Sequence, residues 1–95
     1  MTEHDDQPAV LRAAFARARV VLLGRDGCHL CVAAAAIIER VSATAGSTWC
    51  ELDVDSDPDL RARYSDEVPV TFVDGVQHDY WRVDEARLAA ALKHA

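Results

Sequence analysis

The chain is poor in the residues that staple, anchor or export a protein. Its 95 residues hold three cysteines, an odd number and too few for the disulfide framework of a small secreted domain. No apolar run approaches the ~18–20 residues that a membrane span needs. The longest stretches cover only 20–24 and 32–38. The opening residues, Met-Thr-Glu-His-Asp-Asp, are acidic and polar, the reverse of a signal peptide. Together these absences set the expectation of a cytoplasmic protein in a reducing compartment, with no membrane contact. Lysine is nearly missing: there is one against nine arginines, and the net charge is −6. The clustered basic surface of a nucleic-acid binder is therefore not expected. The arginine bias, with seventeen alanines, is that of GC-rich coding and points to a bacterial source. Four glycines and three prolines leave no linker, so one domain is expected over 1–95, with 1–7 as a loose tail.

What is present is ordinary globular material: 51% hydrophobic and 27% charged residues, enough for one core. Pro8 opens a short helix to Ala18, with Val10, Leu11, Ala14, Phe15 and Ala18 at helical spacing. The run 19–24 is apolar at nearly every position and suits a strand covered on both faces. A helix is expected over 30–44, its apolar stripe made by Leu30, Ala33, Ala34, Ile37, Ile38 and Val41, with Ser42 outside and Gly46 as the stop. Residues 48–54 alternate, as an edge strand does. Asp57 before Pro58 reads as the N-cap of a short helix to Tyr64. A second apolar strand, 70–73, turns at Asp74-Gly75 into an alternating strand over 76–81. A last helix is expected over 84–94, with Ala86, Leu88, Ala89 and Leu92 facing inward and Lys93-His94 at its C-terminal end. A helical connection makes the first two strands parallel, and the tight turn makes the last two antiparallel. Placing the apolar strands centrally gives an α/β, four-stranded mixed sheet of order 2-1-3-4 flanked by helices.

Directly after the first strand stands Arg25-Asp26-Gly27-Cys28-His29-Leu30-Cys31. A thiol attacks as thiolate, yet an ordinary cysteine with a pKa of about 8.5 is mostly protonated at neutral pH. A helix N-terminus aims unpaired N–H groups and the positive dipole end at Cys28, which favours the anion. Two intervening residues set Cys31 one turn further in, close enough to form a disulfide with Cys28. Arg25, and His29 when protonated, would add positive charge beside the sulfur. Cys28 is thus expected to attack and Cys31 to resolve, with a Cys28 pKa below that of a free cysteine. The same C-x-x-C spacing also serves half of a zinc site, which needs further ligands. Cys50 stands alone on a strand, and His4, His78 and His94 are scattered. The strand-to-helix context favours redox over a binding module that holds zinc or an iron–sulfur cluster through the same cysteines.

Val68-Pro69 precedes the second apolar strand. A proline at a strand's first residue is tolerated for its missing N–H. Alternatively, a cis peptide here would leave the Val68 backbone to pair with an extended substrate chain beside Cys28. With Arg25, the two cysteines, Val68-Pro69 and the pair Asp84-Glu85, residues 19–94 resemble a glutaredoxin-like member of the thioredoxin superfamily. The resemblance implies a thioredoxin-like fold and a dithiol mechanism, with Cys28 as nucleophile and Cys31 resolving. It implies that Arg25 supports thiolate and glutathione, that Val68 and cis-Pro69 bind substrate backbone, and that Asp84 holds a glutathione amino group. Departures are evident: His29-Leu30 replaces the usual Pro-Tyr, Trp81-Arg82 stands where glutaredoxins have two glycines, and Leu22 occupies the place of the buried thioredoxin acid. The expectation is a monomeric thiol–disulfide oxidoreductase acting on protein or small-molecule disulfides. It needs no cofactor or metal, and glutathione or another low-molecular-weight thiol serves as reductant. The acids Asp53, Asp55, Asp57 and Asp59 alternate like a calcium loop, but Pro58 and Tyr64 stand where glycine and a bidentate acid are required. They read as a strand end and a helix cap. Cys50 reads as a core thiol.

Overall fold

The computed structural model describes residues 7–93. In chain order the elements are α1 (Ala9–Arg17), β1 (Val20–Gly24), α2 (His29–Ala45), β2 (Trp49–Asp53), a single 3-10 turn (Val54–Ser56), α3 (Pro58–Tyr64), β3 (Val70–Val73), β4 (Val76–Tyr80) and α4 (Glu85–Leu92). The four strands form one sheet of order β2-β1-β3-β4, as the sequence predicts. β1 runs parallel to β2, with Val20 opposite Trp49 and Gly24 opposite Asp53. It runs antiparallel to β3, with Leu23 opposite Val70. β3 and β4 are antiparallel, and a bulge at Thr71/Phe72 skips His78 on β4. No helix among the described residues is long and apolar enough to cross a membrane.

The sheet separates two cores because successive side chains of a strand point to opposite faces. Val21, Leu23, Val70 and Phe72 pack with Leu11, Ala14, Leu60 and Tyr64 on the α1/α3 side. Val20, Leu22 and Val73 pack with Ala34, Ile38, Val41, Leu88 and Leu92 on the α2/α4 side. β1 and β3 are buried at every position, which accounts for their nearly continuous apolar sequence, with Thr71 the one polar side chain. The alternation of β2 is reproduced, with Cys50 and Leu52 toward the first core and Trp49 toward the second. Cys50 is a half-buried free thiol there.

The ends of the elements follow their local chemistry. Asp57 caps α3 by accepting from the amides of Asp59 and Leu60, and Pro58 fills the first helical position. Asp74 and Gly75 both adopt positive φ, 52° and 84°, the conformation of a two-residue hairpin turn. Gly46 ends α2 at φ 66°, with the Ser47 amide reaching back to the Ser42 carbonyl at 2.9 Å.

Several expectations are corrected. Ser42, assigned to the outer face of α2, is buried, whereas Leu30 and Ala33 are exposed. The helix turns its Cys31, Ala34, Ile38, Val41 and Ser42 side inward because both the sheet and α4 pack there. Ala86 is exposed, since only Leu88 and Leu92 of α4 are buried. Gln7, expected in the tail, is buried, and its amide donates to the Gly75 carbonyl at 3.4 Å. The remainder of that tail, and His94, lie outside the described residues. β4 stops at Tyr80, because Trp81 turns to φ 65°.

Candidate functional site

β1 delivers the chain at the carboxyl edge of the sheet, and a four-residue loop carries it into α2. Cys28 is the N-cap of α2, in extended conformation, and its Sγ accepts from the Cys31 amide at 3.1 Å. A sulfur in this position takes over a hydrogen bond that no helical carbonyl can supply. Charge on it is stabilised by that N–H and by the aligned peptide dipoles. Cys28 is half-buried, whereas Cys31 is only 3% exposed. The two are joined in a disulfide, with their Cα atoms 5.2 Å apart. Accessibility therefore differs in the order expected of an attacking and a resolving thiol. Among the described residues no group of three or more His, Cys, Asp or Glu side chains is arranged to hold a metal ion.

Arg25 has a different partner from the one anticipated. Its guanidinium makes a bidentate pair with Asp55, at 2.8 and 3.0 Å, and donates to the Ser65 hydroxyl at 2.7 Å. The Arg25 hydrogen bond holds the Asp55 carboxyl below its ordinary range. Arg25 thereby ties the end of β1 to the 3-10 turn and to the end of α3, with its charge paired to Asp55. His29 occupies the first helical position of α2 and is exposed.

The Val68-Pro69 peptide is cis. Val68 enters none of the backbone hydrogen bonds of the sheet or its turns among the described residues. Asp84 caps α4 by accepting from the Arg87 amide at 3.0 Å, so the acid expected beside a ligand has a structural partner as well.

Two features go beyond what the sequence reading specifies. Trp81 is half exposed yet fixed: its amide donates to the Pro69 carbonyl at 2.6 Å and its indole N–H to the Asp66 carbonyl at 3.1 Å. With Leu30, Ala33, Ile37, Arg82 and Val83 it borders an apolar groove of about 140 Å³ beside the first turn of α2. The second is Glu51 on β2. Glu51 is exposed as a residue, but partial desolvation of its carboxyl, reinforced by Asp26 and Asp53, raises it above the usual carboxylate range. Glu51 lines a polar pocket of about 320 Å³ with Gly24, Arg25, Asp26 and Asp53. Alternation in β2 marks Glu51 only as outward-facing. The replacement of a glycine marks Trp81 as a departure near the site, but its positive φ is not legible, because bulky side chains rarely adopt it.

Comparison with known proteins places the fold and the family. The model of the family described as Glutaredoxin-like domain (DUF836) matches residues 19–93. An uncharacterized protein of Mycobacterium tuberculosis is 41% identical over 83 residues, spanning 82% of this chain and 86% of that relative. The crystal structure of protein XcR50 from X. campestris is similar with a TM-score of 0.65 and 30% identity, over 80% of this chain and 97% of that one. The crystal structure of wheat glutaredoxin has a TM-score of 0.57 at 21% identity, over 95% of this chain and 96% of that one, a likeness of fold.

Proposed function

The chain belongs to the glutaredoxin-like domain family (DUF836), and from that membership we propose that it is a thiol–disulfide oxidoreductase working through Cys28-His29-Leu30-Cys31. The observation that carries this reading is the Cys28 sulfur at the N-cap of α2, accepting the Cys31 amide, with a second and more deeply buried cysteine in bonding distance.

The Cys28 thiolate attacks one sulfur of a substrate disulfide and expels the other as a thiolate, which leaves a mixed disulfide. Cys31 then attacks Cys28, expels the second substrate thiolate and closes the Cys28–Cys31 disulfide. Two electrons pass from the dithiol to the substrate. A low-molecular-weight thiol such as glutathione, or a reductase, restores the dithiol. An extended substrate main chain pairs with Val68 next to cis-Pro69, and the Asp84 carboxylate is available to a glutathione amino group. The enzyme acts as a monomer in a reducing cytoplasm, on protein or small-molecule disulfides.

Replacing Cys31 by serine removes the resolving thiol and should trap the mixed disulfide. The Cys31→Ser protein is expected to accumulate covalent, dithiothreitol-reversible adducts when exposed to an oxidised lysate or to glutathione disulfide. Intact-mass measurement showing no adduct at Cys28 under either condition would overturn the assignment.

A further inference from the structure

The resolving thiol poses a problem that the helix terminus does not solve. Cys31 is almost fully buried, and its amide serves the Cys28 sulfur. Before Cys31 attacks, its proton has to go somewhere. Arg25, which lines the neighbouring pocket, is held by Asp55 and Ser65.

Gly24, the last residue of β1, is where the carboxylate and the thiol approach each other. A β-carbon there would stand 2.6 Å from Glu51 Oε2, 3.5 Å from Cys31 Cβ and 3.6 Å from Cys31 Sγ. The missing β-carbon leaves a gap over Gly24 into which Glu51 Oε2 leans and which Cys31 Sγ also borders. Glu51 reaches it from β2, where Leu22 is its register partner on β1. The pocket around the carboxylate opens to solvent past Asp26 and Asp53, which gives the proton a way out.

We propose that Glu51 accepts the proton of Cys31 during resolution and returns it when the disulfide is reduced, acting across the gap left by Gly24. The inference rests on the thiol–disulfide reading above. In the forward step the Cys31 S–H proton passes to the Glu51 carboxylate, directly or through one water. The freed electron pair forms the Cys31–Cys28 bond, and the bond from Cys28 to the substrate sulfur breaks, releasing substrate thiolate. Glu51 then loses its proton to solvent. In the reverse step an incoming thiolate attacks Cys28, and Glu51 protonates the departing Cys31 sulfur. Partial desolvation and the charges of Asp26 and Asp53 make this carboxylate a stronger base than an ordinary glutamate.

The two steps separate in a stopped-flow reaction of the reduced protein with 5,5′-dithiobis(2-nitrobenzoate), in a Cys50→Ala background so that only the pair reacts. Attack by Cys28 releases the first chromophore and resolution by Cys31 the second; adding Cys31→Ser should leave only the first phase. Glu51→Gln is expected to keep the first phase and slow the second at least about tenfold at pH 7. The deficit should close toward pH 9.5, where Cys31 ionises unaided. Gly24→Ala, which pushes the carboxylate off the gap, should slow the same phase. A second phase of unchanged rate and pH profile in Glu51→Gln overturns the proposal, as does one that stays slow at pH 9.5, which would report distortion of the site. If the parent protein lacks the first phase, the thiol–disulfide reading itself fails, and the inference with it.

Discussion

Cys28 and Arg25, three residues apart, show how a single side chain's partner decides its role. Helix geometry assigns the Cys31 amide to the Cys28 sulfur, at 3.1 Å. Arg25 is drawn instead to Asp55, with which it forms a bidentate pair. With that charge paired, the helix terminus is expected to be the main stabiliser of the thiolate. Arg25→Ala is accordingly expected to change the alkylation rate of reduced Cys28 less than threefold at pH 7 and 0.15 M salt; a tenfold drop would show that the guanidinium acts on the sulfur directly. Asp84 allows a similarly sharp test. Asparagine caps a helix about as well as aspartate, so Asp84→Asn should melt within a degree or two of the parent. If Asp84 holds a glutathione amino group, the same variant should raise the KM for a glutathione mixed disulfide severalfold while leaving that for an uncharged disulfide unchanged.

Among the elements, the strands and caps follow directly from the sequence. The largely apolar run Val70–Val73, the Asp57-Pro58 pair and Asp74-Gly75 each obey a local rule that the tertiary structure keeps. Asp57→Ala should therefore cost about 1 kcal/mol of stability in a urea titration; no loss would mean that α3 is held by packing alone. Legibility fails where a distant element decides. The inward face of α2 depends on where α4 lies, so Ser42 is enclosed and Leu30 is left at the rim of the groove. The acids at 53, 55 and 57 look like one solvated series, but they divide into a turn cap, an arginine clamp and a helix cap. Of the site, the cysteine pair and Val68-Pro69 were readable because their chemistry is local. Glu51 was not, because its meaning depends on an absent side chain at Gly24, 27 positions earlier and on a neighbouring strand.

For the molecule as a whole, pH sensitivity combines opposed contributions. Arg25 lowers Asp55 and Arg40 lowers Glu85, so both carboxylates favour the fold above their unfolded values. That contribution fades as pH falls through their depressed folded values. Glu51 acts in the other direction. Its folded carboxyl binds a proton more tightly than the unfolded one, so stability declines as pH rises through the window between the two, and the penalty is complete above it. Glu51→Gln should thus raise Tm at pH 7 and give no gain near pH 4; equal or lower Tm at pH 7 would contradict the desolvated carboxylate. The proposed activity nevertheless depends on Cys28, and the direct measurement is the pH dependence of iodoacetamide alkylation of the reduced protein, followed at Cys28 by peptide mass. The rate should rise to its plateau with a midpoint clearly below the ~8.5 of an ordinary thiol. A midpoint at or above that value would contradict a thiolate stabilised at the start of α2.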